Sequence, residues 1–90
     1  MQQRAASLEQ NIPNPAKNST TIHFYIPLDI HDAMLLITDA SGRSIQQFSN
    51  LANGQSEVEF STTDLSSGTY QYSLYINGRV VDSKQMVIAR

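Results

Sequence analysis

Residues 68–81 read Gly68-Thr-Tyr-Gln-Tyr-Ser-Leu-Tyr-Ile-Asn77-Gly78-Arg79-Val80-Val81. Tyr70, Tyr72, Leu74 and Ile76 recur at every second position with Thr69, Gln71 and Ser73 between them, the alternation of a strand with one buried face. Aromatic and branched side chains suit a half-buried pleated surface. Asn77-Gly78 follows at once, and both residues tolerate the positive φ of a type I′ turn. A second apolar-rich run begins at Val80. Together these features specify a β-hairpin. They also set a register problem: a plain two-residue loop places Leu74 opposite Val81 and Tyr72 opposite Ser83, which turns Met86 and Ile88 to the face away from the tyrosines. Because a one-residue slip reverses every side chain, an irregularity is required. It is either a bulge near Ser83–Gln85 or a three-residue loop with its own bulge at Gly78. With neither, Val87 becomes the buried residue.

Working outward from the hairpin, similar alternation marks further strands. Residues 19–26 place Ile22, Phe24 and Ile26 inward and Thr21, His23 and Tyr25 outward. Residues 33–38 are apolar on both faces (Ala33, Leu35 and Ile37 against Met34 and Leu36), as a central or covered strand would be. Asp39-Ala-Ser-Gly42 is a turn. In the run 43–48, Ile45 and Phe48 are out of phase, which predicts a bend or bulge. Residues 55–60 direct Val58 and Phe60 inward and Glu57 and Glu59 outward. Between 61 and 68, Leu65 is expected to dip into the core on a single helical turn. Short strands punctuated by turn signals, with no helix-length periodic segment, imply an all-β fold. The expected architecture is a small immunoglobulin-like antiparallel β-sandwich of about six to seven strands.

The chain has 90 residues, 40% of them hydrophobic, enough for one domain with a modest core. Net charge is −2, and the six basic residues (Arg4, Lys17, Arg43, Arg79, Lys84 and Arg90) are scattered rather than gathered into a stripe, which argues against nucleic acid as a partner. Without cysteine there is no disulfide framework, thiolate metal site or Cys nucleophile. No apolar run approaches the roughly 20 residues that span a bilayer as a helix, so no direct membrane insertion is expected. The start, Met1-Gln-Gln-Arg4-Ala-Ala-Ser7, has no apolar segment of the secretory signal type. It reads as the tail of a preceding segment. Residues 1–17 are expected to be an extended linker, since Pro13 and Pro15 each remove an amide donor and force extended geometry on the residue before. That linker is expected to tuck Leu8 and Ile12 against a β-sandwich domain spanning 18–90.

Candidates for chemistry are sparse. His23 and His31 have no paired nucleophile or orienting motif, and no Gly-x-Ser-x-Gly elbow accompanies the serines. Asp29, His31 and Asp32 match no metal-ligand spacing, and Glu57 and Glu59 project together as any solvated strand face does. No catalytic residue, metal or cofactor is expected. Tyr25 and Tyr75 are the notable outward aromatics. Either they pack across strands or they stack on sugar rings, as in a carbohydrate-binding or adhesive sandwich module.

The ordered motifs carry a resemblance over nearly the whole chain from residue 8. They are Leu8-Glu-Gln-Asn-Ile-Pro-Asn-Pro15, Thr21-Ile-His-Phe-Tyr-Ile-Pro27, Ile37-Thr-Asp39, Gly42-Arg43, Leu65-Ser-Ser-Gly-Thr-Tyr70, Asn77-Gly78 and the terminal Lys84-Gln-Met-Val-Ile-Ala-Arg90. In these the chain resembles the type A C-terminal sorting domain of the type IX secretion system, found on exported proteins of Bacteroidota. It departs from that pattern at Ala16 and Thr38, where the family often has an aromatic residue and a tyrosine. The resemblance implies a β-sandwich address label covalently attached to an upstream cargo. The cargo crosses the inner membrane by the general secretory route, the folded label is recognised by the translocon in the periplasm, and the cargo reaches the cell surface or the medium. A sortase of cysteine-protease type usually removes the label and can join the cargo to anionic lipopolysaccharide. On this reading the label is substrate, never catalyst. We expect Gly68, Tyr70, Asn77, Gly78, Lys84, Met86, Val87, Ile88 and Arg90 to carry recognition, the chain end by pairing with a receptor strand edge. Leu8, Asn11, Pro13, Asn14 and Pro15 form the linker motif. A spacer or oligomerisation module with an exposed edge strand is a further alternative.

Overall fold

The computed structural model describes residues 4–90, so the first three residues of the expected linker lie outside it. Seven strands follow in order: β1 (Ser7–Leu8), β2 (Ser19–Ile26), β3 (Ala33–Thr38), β4 (Ser44–Phe48), β5 (Gly54–Ser61), β6 (Gly68–Ile76) and β7 (Arg79–Ile88). There is no helix among the described residues. One sheet has the order β1-β2-β5 and the other β4-β3-β6-β7, with every named pair antiparallel. The chain changes sheet between β2 and β3, between β4 and β5, and again between β5 and β6. This is the Greek-key course of an immunoglobulin-like sandwich.

Alternation places the core. Ile22, Phe24 and Ile26 of β2 face Leu35 and Ile37 of β3, Tyr72 and Leu74 of β6, and Met86 and Ile88 of β7, all essentially without solvent exposure. Each such side chain contributes about 1.5–3 kcal/mol relative to an exposed position. The strand apolar on both faces, β3, lies inside its sheet between β4 and β6, with Met34 and Leu36 half-buried on its outer side. Leu65 packs against the core from a turn closed by its N–H on the Thr62 carbonyl at 3.1 Å.

Both expected irregularities exist. In β4, Thr38 pairs with Ser44 and Ile37 with Gln46, so Ile45 is the extra residue that puts it out of phase with Phe48. The β6–β7 loop has two residues, Asn77 and Gly78 at φ 52 and 80, not three. Its bulge lies at Val81 rather than near Ser83–Gln85: Tyr75 pairs with Val80, and Leu74 already pairs with Asp82. The placement has a physical reason. Val80 and Val81 are exposed beyond the packed core, so an extra residue there disturbs no core contact. From Asp82 onward the even-numbered side chains turn inward. Met86 and Ile88 are buried and Val87 remains outside, 38% exposed.

The segment before residue 18 contributes β1 to a sheet. Leu8 is buried as expected, but Ile12 is 64% exposed, because its neighbour Asn11 takes the inward position.

The register makes a direct prediction. Met86→Ala should lower unfolding free energy by about 2–5 kcal/mol. Val87→Ala, next to it, should change stability by no more than about 0.5 kcal/mol. Urea denaturation of the two variants measures the contrast, and the opposite ranking would mean that β7 is shifted by one residue.

Candidate functional site

The residues singled out before Lys17 meet those near the chain end. Prolines at 13 and 15 forbid a continuous ladder, so this segment bonds in isolated steps. In the first sheet Glu9 N–H donates to the His23 carbonyl at 3.0 Å, and Ile12 and Thr21 exchange backbone hydrogen bonds of 2.9 and 2.8 Å. The segment then reaches the other sheet, where Ala16 N–H donates to the Val87 carbonyl at 2.8 Å and Ala89 N–H to the Ala16 carbonyl at 2.9 Å. Asn14 Oδ1 accepts the Val87 N–H at 2.9 Å, and Gln10 Nε2 donates to the Gln85 carbonyl at 2.7 Å. One strap thus closes one side of the sandwich, and the outer edge of β7 from Gln85 to Ala89 bonds within the domain.

Asn11 is the hub of the strap, only 1% exposed. Its Nδ2 donates to the Pro13 carbonyl and to Thr20 Oγ1, each at 3.0 Å, and its Oδ1 accepts from Gln10 Nε2 at 2.7 Å. Its backbone N–H donates to Tyr72 Oη at 2.8 Å, while the Tyr72 hydroxyl donates to the Glu9 carbonyl at 2.7 Å. Every buried side-chain polar atom among the described residues has a partner. Burial pushes the Tyr72 phenol up to about 12, helped by the Asp82 carboxylate and opposed by the Asn11 N–H.

The other expected site residues divide by position. Tyr70 opens β6, and its hydroxyl donates to the Ser66 carbonyl at 2.8 Å, a tyrosine corner that pins the β5–β6 connection beside Gly68. Met86 and Ile88 lie in the core and Lys84 is half-buried on the inner side. Arg90 is exposed, its backbone N–H on Ser67 Oγ at 3.2 Å. Asn77 and Gly78 form the tip at the other end of the hairpin, roughly 30 Å from Gly68 at about 3.3 Å per residue. They are not brought together with the strap and tail. Pro13, Asn14 and Pro15 are exposed on the strap, while Leu8 and Asn11 are buried under it.

Asp39 organises its own turn. Oδ1 accepts from Ser41 N–H, Ser41 Oγ and Arg43 N–H at 2.7–2.9 Å, and Oδ2 accepts from Arg43 Nε at 3.0 Å. The Ser41 hydroxyl, then the Arg43 N–H, hold its carboxyl below the usual value. Tyr25 and Tyr75 belong to different sheets and face outward on opposite sides, and the Arg4 guanidinium lies 4.0 Å over the Tyr25 ring. They cannot form one stacking platform. His23 Nε2 pairs with Glu57 Oε1 at 3.2 Å. No three potential metal ligands converge among the described residues.

Sequence reasoning missed the roles of Asn11, Ala16 and Tyr70. A tyrosine two residues after a glycine at a strand start was the available signal for the corner. Nothing local marks Asn11 as buried. The arrangement holds a fixed terminal strand and leaves its side chains Val87 and Arg90 on the surface.

A family model described as secretion system C-terminal sorting domain matches residues 11–89. A search of curated proteins returned no match. The matched span runs from the hub asparagine to Ala89, whose N–H closes the strap.

Tyr72→Phe leaves the Asn11 N–H and Glu9 carbonyl without partners and should cost about 1–3 kcal/mol. The phenol's folded value lies above its unfolded value of 10.0, so its contribution is complete below pH 10 and is lost as pH rises toward about 12. The stability gap between the parent chain and Tyr72→Phe, read from urea midpoints, should therefore be widest near neutrality and shrink through that window.

Proposed function

The chain belongs to the family of secretion system C-terminal sorting domains and is a type IX sorting signal, which implies an attached cargo and export across the outer membrane. From that premise we propose that the folded domain is recognised in the periplasm by the type IX translocon. Recognition then runs over the hairpin and tail: Val87 and Arg90 on the surface, the half-buried Lys84 at the inner margin of β7, Gly68 at the strand start, and Asn77-Gly78 as a second contact at the far tip. Tyr70, Met86 and Ile88 act from beneath by fixing that surface. Leu8, Asn11, Pro13, Asn14 and Pro15 act as the strap that keeps the tail in place. Residues ahead of Leu8 are the join to the cargo. A cell-surface sortase cuts ahead of Leu8, and the cargo is released or joined to anionic lipopolysaccharide.

The family match, covering all but the first ten residues and the last one, carries this reading. The fold supports it physically. A label that serves unrelated cargo needs a surface independent of that cargo, and a sandwich strapped to its own last strand supplies one. The family is one of sorting signals rather than enzymes.

A reporter carrying a secretory signal peptide, fused ahead of residue 1 and expressed in a bacterium with the type IX system, tests the reading. The parent domain should bring the reporter to the cell surface or medium; a reporter that stays in the periplasm overturns the sorting function. The variant Lys84→Glu/Val87→Glu/Arg90→Glu should leave most reporter in the periplasm while keeping a cooperative urea transition. Full export of that folded variant removes the tail from recognition. Deleting Lys84–Arg90 is a poorer test, since it takes Met86 and Ile88 out of the core.

A further inference from the structure

The two sides of the sandwich are closed differently. On one, the strap bonds to β2 and β7. On the other, β4 and β5 end their sheets. The direction of the β5 backbone follows from one bond: Thr62 N–H donates to the Asn18 carbonyl at 2.8 Å, continuing the β2–β5 register. Alternation then points the N–H and C=O of Gln55, Glu57, Glu59 and Ser61 away from β2. These groups have no partner among the described residues. The inner row on this side is only half covered: Val58, Ile45, Phe48 and Leu51 pack against the core yet keep exposure, with Phe48 edge-on to Phe60 at 6.4 Å. Its outer row is acidic. Glu57 and Glu59 are exposed, Glu57 meets only His23, and neither Ser44–Phe48 nor Gly54–Ser61 contains a lysine or arginine.

We infer that the free edge of β5 docks an extended strand of a partner protein in which basic and β-branched residues alternate. Such a strand completes the ladder at Gln55, Glu57, Glu59 and Ser61. Its basic side chains lie on the outer face about 5 Å from Glu57 and Glu59, the spacing of directly opposed cross-strand pairs. Its β-branched side chains turn the other way, onto Val58, Ile45 and Phe48. The same carboxylates oppose a second copy, because antiparallel pairing of two β5 edges sets glutamates against one another. The inference stands on this edge alone and does not depend on which residues carry sorting.

The test uses the intact 90-residue chain, isotope-labelled, titrated with acetyl-Thr-Lys-Val-Lys-Val-Lys-Thr-amide and with its counterpart in which glutamate replaces each lysine. The lysine peptide should shift the amides of Gln55, Glu57, Glu59 and Ser61 and slow their hydrogen exchange. The glutamate peptide should bind at least about tenfold more weakly, a difference of about 1.4 kcal/mol. Glu57→Lys/Glu59→Lys should reverse the preference, and Glu57→Gln/Glu59→Gln, milder for the fold, should abolish it. Equal response to both peptides, shifts confined to other strands, or protection of these amides by self-association without peptide would each overturn the inference.

Discussion

The hydrogen bond from the Asn11 backbone to the Tyr72 hydroxyl joins the two ends of the domain's logic. Tyr72 stands on a strand inside its sheet with its ring in the core, and its hydroxyl is the polar atom that core has to satisfy. It is satisfied by Asn11 on one side and Glu9 on the other, both from a segment more than sixty positions earlier in the chain. Leaving the phenol unpaired in the interior costs about 1–3 kcal/mol, so strap and core stabilise one another. Once Asn11 is held, Asn14 and Ala16 lie beside β7 and bond its last turns of backbone.

This coupling changes what the family's motifs mean. Asn-x-Pro-x-Pro is a strap, Thr-Asp followed by Gly-Arg is a turn wound on the Asp39 carboxylate, Ser-Gly-Thr-Tyr is a tyrosine corner, and Asn-Gly is a hairpin turn. Each solves a local problem of the sandwich. In this chain such local solutions extend from the strap to the hairpin turn.

The strap also makes the sandwich asymmetric. A strand edge left open is a template for further pairing, and proteins usually cover it or charge it. One side here is covered by the chain's own N-terminal segment, with backbone bonds to β2 and to β7. The other carries carboxylates on β5 and an uncharged β4. Covering occupies the β7 edge from Gln85 to Ala89. Charging the second leaves it available only to a strand of opposite sign.

Alternation in the sequence was sufficient to specify the strands from residue 19 onward, the Asn77-Gly78 turn, the sandwich class and the need for an irregularity in both β4 and β7. These depend on side-chain period and turn chemistry, which act over a few residues. The position of the β7 bulge was not local information: Val81 rather than a later residue is extra because the packed core ends before Val80, and only the folded sheets reveal where it ends. Docking of the linker through Leu8 was expected, but the course of the strap and its hub were not local information either. Asn11 and Ile12 look polar-out and apolar-in by composition, yet the buried place goes to Asn11, since Thr20 Oγ1 and the Pro13 carbonyl wait there for side-chain hydrogen bonds that no isoleucine can complete. Local pattern determined which segments are strands, and long-range hydrogen bonding between buried polar groups decided how the chain's two ends close on one another.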